Sequence, residues 1–474
     1  MALTIEQNPL YNLNTVGQDV IFTVLDAAVV ATKFNVKYIA EVHIETDTIN
    51  LASSIKVGAF KTTPNNTGAG MYDFRPIVES FVNADNLAPS TSEFKNASYS
   101  NLPVHIIDKY SLNENTVRYL KIRFKVEGAA TEGGAVSVID TEDSAQYTLF
   151  NGYLKRTDIL DLVTNDFGYD TSRFYLNPKI VGGEILGNWL TNAPTTQYAN
   201  LSDYGTLSMY SADLGVVGVP TDLYRITITY YNSSGTQIGF EYIDNLDAEG
   251  GFTTYGTTTN KQVMYLGCFP ANLRNWSPTF TSLVTTGTIK GGHYTIRANN
   301  SAANALLDIV TININCPTLK GYEPIRLAWL NQWGAWDYYT FTMKSAKTTS
   351  TKGSTYQQIE GTWNESTYQV NGFKGGKKAF RVNATEKISM NTDFVSEAES
   401  EWFEELINSP EVYILKGFQK DLNIASLNIS ALNQYVTPVR IATSSYTKKT
   451  VANDKLMQYT FEVEKSKTLR TQAV

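Results

Sequence analysis

The residues best placed to do chemistry lie between Ile325 and Phe341, where Trp329, Trp333, Trp336, Tyr338, Tyr339 and Phe341 crowd around Asn331, Gly334 and Asp337. Two chemistries use such a mixture. Indole and phenol faces exposed on a sheet stack on sugar rings, and a carboxylate held among them can take part in acid-base work on a glycosidic bond. That work needs a second carboxylate about 5 to 10 Å away in a cleft, and no spacing in the sequence fixes one. Asp337 is therefore expected to be a buried acceptor that ties the local backbone. Trp329, Trp336 and Tyr338 are expected to fill a core. Trp333 and Tyr339 are expected to cover a subunit interface, where Trp and Tyr are enriched.

The other reactive side chains are dispersed. His43, His105 and His293 have no second His, Cys or carboxylate at metal-ligand spacing, so a zinc site is not expected. Cys268 and Cys316 stand outside any CxxC or Cys-His arrangement and read as buried thiols, with a bridge between them left open. Gly68, Gly70 and the pairs Gly250-Gly251, Gly291-Gly292 and Gly375-Gly376 lack the Lys-Ser/Thr or following helix of a phosphate loop, and they read as turns. Lys374, Lys377 and Lys378 form a basic cluster that reads as a solvated loop. No nucleophile-base pair is recognisable, and neither enzymatic activity nor a cofactor is expected.

These residues must be carried by strands. Ile325, Leu327 and Trp329 alternate with Arg326, Ala328 and Leu330, and the alternation resumes at Trp336, Tyr338 and Thr340, which predicts a hairpin whose turn contains Gly334. Alternation also predicts strands over 34–44, 54–60, 117–127, 261–269, 293–297 and 306–314, and a hairpin from 223–231 to 236–242 about Asn232–Gly235. Further strands are expected at 356–363, 379–382, 412–415, 438–443 and 456–464. Two helices stand out. Phe74 to Val82 has helical spacing with Asp73 as its expected N-cap. Residues 396–409 begin with a Ser396/Glu399 capping box, carry Trp402, Phe403, Leu406 and Ile407 as an apolar stripe, and end at Pro410.

The predicted fold class is mainly β, in tandem antiparallel β-sandwich domains (Ig-like or jelly-roll-like) with few short helices. A length of 474 residues suggests about three domains, expected at 1–165, 166–320 and 321–474, the last ending in a polar tail from Lys465 to Val474. A net charge of -7 argues against a dedicated nucleic-acid binder, which needs clustered cations. The start of the chain lacks the basic and apolar regions of a signal peptide, and no window has the apolar length of a membrane span. The chain is expected to be made in a cytoplasm and not to enter a membrane.

Three stretches together resemble virion structural proteins of tailed bacteriophages, in particular phages of gut Bacteroidales, including the crAss-like group. The first is Ile325 to Phe341 followed by Lys344, Ser345 and Tyr356. The second is Tyr38 to Ile44, a strand, an Asn/Gly loop and Tyr72 to Val78. The third runs from Asn408 to Tyr413, through Thr437 to Ile441, to Asn453 to Val463. The resemblance implies β-sandwich subunits assembled into neck or tail rings of podovirus-like particles. Such rings are often twelvefold, with other tail, neck and portal proteins as neighbours. It implies no catalytic residues. A receptor- or glycan-binding tail protein is the alternative.

Overall fold

A computed structural model describes residues 2–46, 48–88, 102–154, 171–174, 179–180, 183–184, 186–210, 223–244, 263–300, 303–314, 322–417, 435–447 and 457–470. The protein is mainly β, as its alternating sequence predicts, with antiparallel sheets packed face to face and a few short helices. The chain divides into two compact units. One comprises Met1–Pro317, Leu330–Asp337 and Gly417–Leu432; the other comprises Thr318–Trp329, Tyr338–Lys416 and Asn433–Val474. The expected boundaries at 165/166 and 320/321 fall outside the described residues.

In the first unit, Val117–Ala129 is the axis of a large sheet. It pairs with Phe34–Glu45 on one side, and with Tyr147–Phe150 and Ser137–Asp143 on the other. Its side chains alternate with period two, so Leu120, Ile122, Phe124 and Val126 are buried while Lys121, Arg123 and Lys125 are only partly covered. A small sheet of Thr4–Gln7, Ile21–Leu25 and Ala69–Asp73 covers that face. Phe22, Tyr72 and Phe74 meet Phe124 in one aromatic core. Asp73 does not cap the following helix as expected. Its carboxylate accepts from Val20 and Arg75 backbone N–H groups, and the helix Arg75–Val78 starts from Phe74 without a side-chain cap.

A second pair of sheets follows. One sheet orders its strands as Thr196–Ala199, Val310–Ile314, His293–Asn299, Arg225–Tyr231 and Gln237–Asp244. The expected 223–242 hairpin is its edge, with Gly235 at φ 79° in the turn. The other sheet joins Thr206–Tyr210 and Val263–Gly267 to Tyr110–Asn113, a strand from far earlier in the chain. Helices Pro270–Trp276 and Pro278–Thr285, which the sequence pattern does not announce, lie beside these strands. Cys268 is buried, and Cys316 lies outside the described residues.

The second unit is built on one antiparallel sheet. Its order is Trp336–Phe341, Ile325–Leu330, Val412–Leu415, Val436–Ile441, Thr460–Lys465, Gly376–Asn391 and Ser345–Gln358. The helix Glu397–Asn408 lays Trp402 and Phe403 on it, with ring centroids 4.8 Å from Trp329 and 5.5 Å from Phe461. The last two strands of the sheet are much longer than expected, fourteen and sixteen residues, and their outer parts pair almost entirely with each other. The polar C-terminal tail is partly tied: Leu469 and Ala384 exchange two backbone hydrogen bonds of 2.8 and 2.9 Å.

Candidate functional site

The aromatic hairpin folds as its alternation predicts, with strands Ile325–Leu330 and Trp336–Phe341 almost wholly buried. Asn331 builds the turn. Its side-chain oxygen accepts from the N–H groups of Trp333 and Ala335 at 2.9 and 3.0 Å, and its own N–H donates to the Ala335 carbonyl at 2.8 Å. Gly334 sits at φ 73°, and a Cβ there would lie 2.1 Å from the Asn151 carbonyl oxygen. Glycine is required on both counts.

The division of the chain passes through this hairpin. Leu330–Asp337 belongs to the first unit. Trp333, expected at an interface, is 3% exposed and stands 4.5 Å from the Phe174 ring, with the Arg173 guanidinium 5.4 Å over its face. The Trp336 indole donates to the Asp85 carbonyl at 3.0 Å and meets His105 edge-on. Asp337 is buried, and one of its oxygens accepts from the Thr191 hydroxyl at 2.6 Å and the Asn331 amide at 3.0 Å. The same amide reaches the Leu190 carbonyl at 2.8 Å. Asp337 thus ties the turn to a neighbouring loop.

The outer parts of the hairpin strands, Ile325–Trp329 and Tyr338–Phe341, belong to the second unit. Trp329 is fully buried on Trp402, and Tyr338 receives the Arg326 guanidinium 5.3 Å from its ring. Tyr339 stands edge-on to Phe403 at 4.8 Å, and burial raises its hydroxyl well above the usual phenol range, with Glu399 and Asp393 adding to the shift. These rings leave no exposed platform for a sugar. Among the described residues, no group of three or more His, Cys, Asp or Glu side chains comes close enough to hold a metal ion. No described helix is long and apolar enough to cross a membrane.

Among the described residues, a cleft lies elsewhere, in the first unit, and the sequence reading did not single it out. The sheet carrying Arg225–Tyr231 and His293–Asn299 buries Ile226, Ile228, Tyr230, Tyr294 and Ile296 on one face. Its other face floors a cleft of about 440 Å³. Arg225 is sandwiched there between the rings of Tyr224 and Tyr242, at 4.6 and 4.4 Å, with its Nε 3.2 Å from Asp244. Arg297 lines the same cleft and reaches the Ala303 carbonyl at 3.2 Å. Guanidinium forks beside Tyr faces and Thr hydroxyls can hold a sugar ring or a carboxylate. Only one strand's share of the cleft is legible in the sequence, where Arg225, Thr227, Thr229 and Tyr231 occupy alternate positions.

One buried carboxylate resembles a catalytic group but serves the fold. Glu241 accepts hydrogen bonds from Tyr230 and from Ser277, and burial raises the pKa of both Glu241 and Tyr230. Ser277 caps the helix Pro278–Thr285 by accepting from the Phe280 N–H. The trio locks helix to sheet.

No family model and no curated protein matches this chain. Among solved structures it shows a likeness to Escherichia coli alpha-2-macroglobulin, in its native and its trypsin-activated forms. Each is 8% identical over 82% of this chain, with TM-scores of 0.18 and 0.19. The chain spans only 21% and 26% of the length of those proteins. So low a structural agreement carries no argument about this chain.

Proposed function

We propose that this chain is a structural subunit of a tailed-phage virion, building a ring of the neck or tail by packing against copies of itself. Other neck, tail and portal proteins are its neighbours, and the ring is twelvefold where it meets the portal. Its place is the virion, after assembly in the host cytoplasm, and neither a catalytic nor a membrane role belongs to this reading. The phage assignment follows from the three sequence stretches. The assembly role is supported by one observation, the hairpin of Ser345–Gln358 and Gly376–Asn391. Most of its side chains are exposed, and it ends in a tip where Ile359, Trp363, Val370 and Phe373 are each at least 67% exposed. Apolar side chains concentrated at the end of an arm mark a surface meant to be covered.

Native mass measurement of the purified chain tests this reading. Dodecamers, or monomers that close into rings on a portal or neck partner, are the expected result. A stable trimer that binds host surface polysaccharide would overturn it. That second outcome belongs to the glycan-binding reading, which is favoured by the Arg225/Arg297 cleft alone. In that case Arg297→Ala abolishes polysaccharide binding and leaves the trimer intact.

A further inference from the structure

The arm between Ser345 and Asn391 differs electrically from the chain that carries it. It holds Lys347, Lys352, Lys374, Lys377, Lys378, Arg381 and Lys387 against Glu360, Glu365 and Glu386, seven cations to three carboxylates, a net charge of +4. The whole chain is -7, so everything outside the arm sums to -11. The ladder concentrates this charge. Lys352 lies opposite Asn383, Ser354 opposite Arg381 and Tyr356 opposite Lys378, so Lys352, Tyr356, Lys378 and Arg381 share one face. Ser345–Gln358 is also the last strand of its sheet, and its outer edge pairs with no described strand. A long, Thr-rich edge without proline is a template for another strand.

A complementary edge exists in the first unit. Ser137–Asp143 pairs only with Val117–Ala129 among the described strands. The stretch from Thr131 to Asp143 carries Glu132, Asp140, Glu142 and Asp143 and no Lys or Arg. Val136, Val138 and Ile139 are exposed beside them. Asp140 and Glu142 lie opposite Val126 and Phe124, on the face that is apolar core farther along the sheet. Charges placed inward on an edge strand exclude apolar strands from pairing with it. They do not exclude a strand that brings cations. A guard of one sign converts an indiscriminate edge into a selective one.

We propose that the basic arm of one copy docks on the acidic edge strand Ser137–Asp143 of a second copy by strand addition. Backbone hydrogen bonds and the exposed apolar residues of both partners supply affinity, and opposite charges select the pairing. Arm against arm and edge against edge are both disfavoured by like charge. The contact is therefore heterologous, the kind that repeats around a ring rather than ending at a dimer. This inference rests on the reading of the chain as an assembling subunit.

The test is sedimentation velocity of the full-length chain over a concentration series, at low and at high salt, with thermal melts confirming that each variant is folded. The wild type is expected to associate and to dissociate as salt rises. The double variant E132K/E142K and the triple variant K352E/K378E/R381E should each self-associate at least about tenfold more weakly. Mixed together, they should associate again, because the charges are exchanged between the partners. A wild type that stays monomeric at high concentration overturns the inference and leaves a ring built on other partners standing. Rings that ignore the charge reversals, or a mixture that is not rescued, overturn the inference alone. So does an arm variant that loses binding to a short DNA duplex while self-association is unchanged, since the arm is then a nucleic-acid contact.

Discussion

Asp85 shows how a single buried residue couples the aromatic hairpin to pH. Its carbonyl receives the Trp336 indole proton, while its carboxyl accepts from the Asn115 N–H and the Thr116 hydroxyl at 3.3 Å each. Burial disfavours the carboxylate more than these donors stabilise it, and the pKa is pushed up to about 6. An acid whose folded pKa exceeds its unfolded value, about 3.9, weakens the fold as pH rises. The penalty is absent below pH ~4, grows as pH climbs to ~6, and is complete above that, reaching at most about 3 kcal/mol. Two other carboxylates work in the opposite direction: the Arg123 ion pair lowers the pKa of Asp143, and the Leu3 N–H lowers that of Asp140. Comparison with Asp85→Asn isolates the buried group. Urea unfolding should show the variant gaining on the wild type by about 2–3 kcal/mol between pH 4 and pH 7.5. A difference that does not change with pH would mean that Asp85 does not titrate in this range. The Asp337 carboxylate, by contrast, accepts from the Thr191 hydroxyl and the Asn331 side-chain amide.

At the scale of elements, the helix Glu397–Asn408 separates local signals from tertiary ones. The Ser396 hydroxyl accepts from the Glu399 N–H at 3.2 Å, and the Glu399 carboxylate accepts from the Ser396 N–H at 2.8 Å, completing the capping box. Ser396→Ala should cost about 1 kcal/mol. Trp402→Ala, which empties the contact with Trp329, should cost about 3–5 kcal/mol. Thermal melts monitored by near-UV circular dichroism would check the ranking, and equal losses would show that the cap dominates. The cap and the apolar stripe are readable because each lies within a few residues of sequence. The same holds for the hairpin of Ile325–Phe341, where alternation gives the strands and Gly334 the turn. What alternation could not show is which neighbour buries a ring. Trp333 is covered by Phe174, far away in sequence, not by a second subunit. Alternation also failed at Ser345–Gln358, because a strand exposed on both faces has no apolar period to read. Only the ends of the arm, near Tyr356 and Ala379–Val382, contained enough apolar residues to be recognised. The Arg225/Arg297 cleft was missed for a related reason. Its polar residues sit on adjacent strands that the ladder, not the sequence, brings side by side.

At the scale of the whole molecule, the arm is a long hairpin most of whose side chains are exposed. Between Ser345 and Ser354 its ladder runs unbroken, and a bulge follows before Thr355. Its inner end is integrated: Lys387–Asn391 pair with Thr460–Glu464, and Ala384 pairs with Leu469. Outside that zone, among the described residues, the two strands pair only with each other. Replacing Gly353–Val382 by Asn-Gly would join Lys352 to Asn383, residues already opposite, through a two-residue turn suited to strand twist. The change removes Trp363, Val370 and Phe373 from solvent and deletes no residue of the buried aromatic cluster around Phe403. Urea unfolding of the shortened full chain should therefore stay within about 1 kcal/mol of the wild type, as substitutions remote from a core do. Light scattering should show that it no longer self-associates, at any salt concentration. If the shortened chain unfolds much more easily, the arm belongs to the fold rather than to assembly. If it folds and still forms rings, the contacts that build them lie on the bodies of the subunits, and the exposed tip serves a different partner.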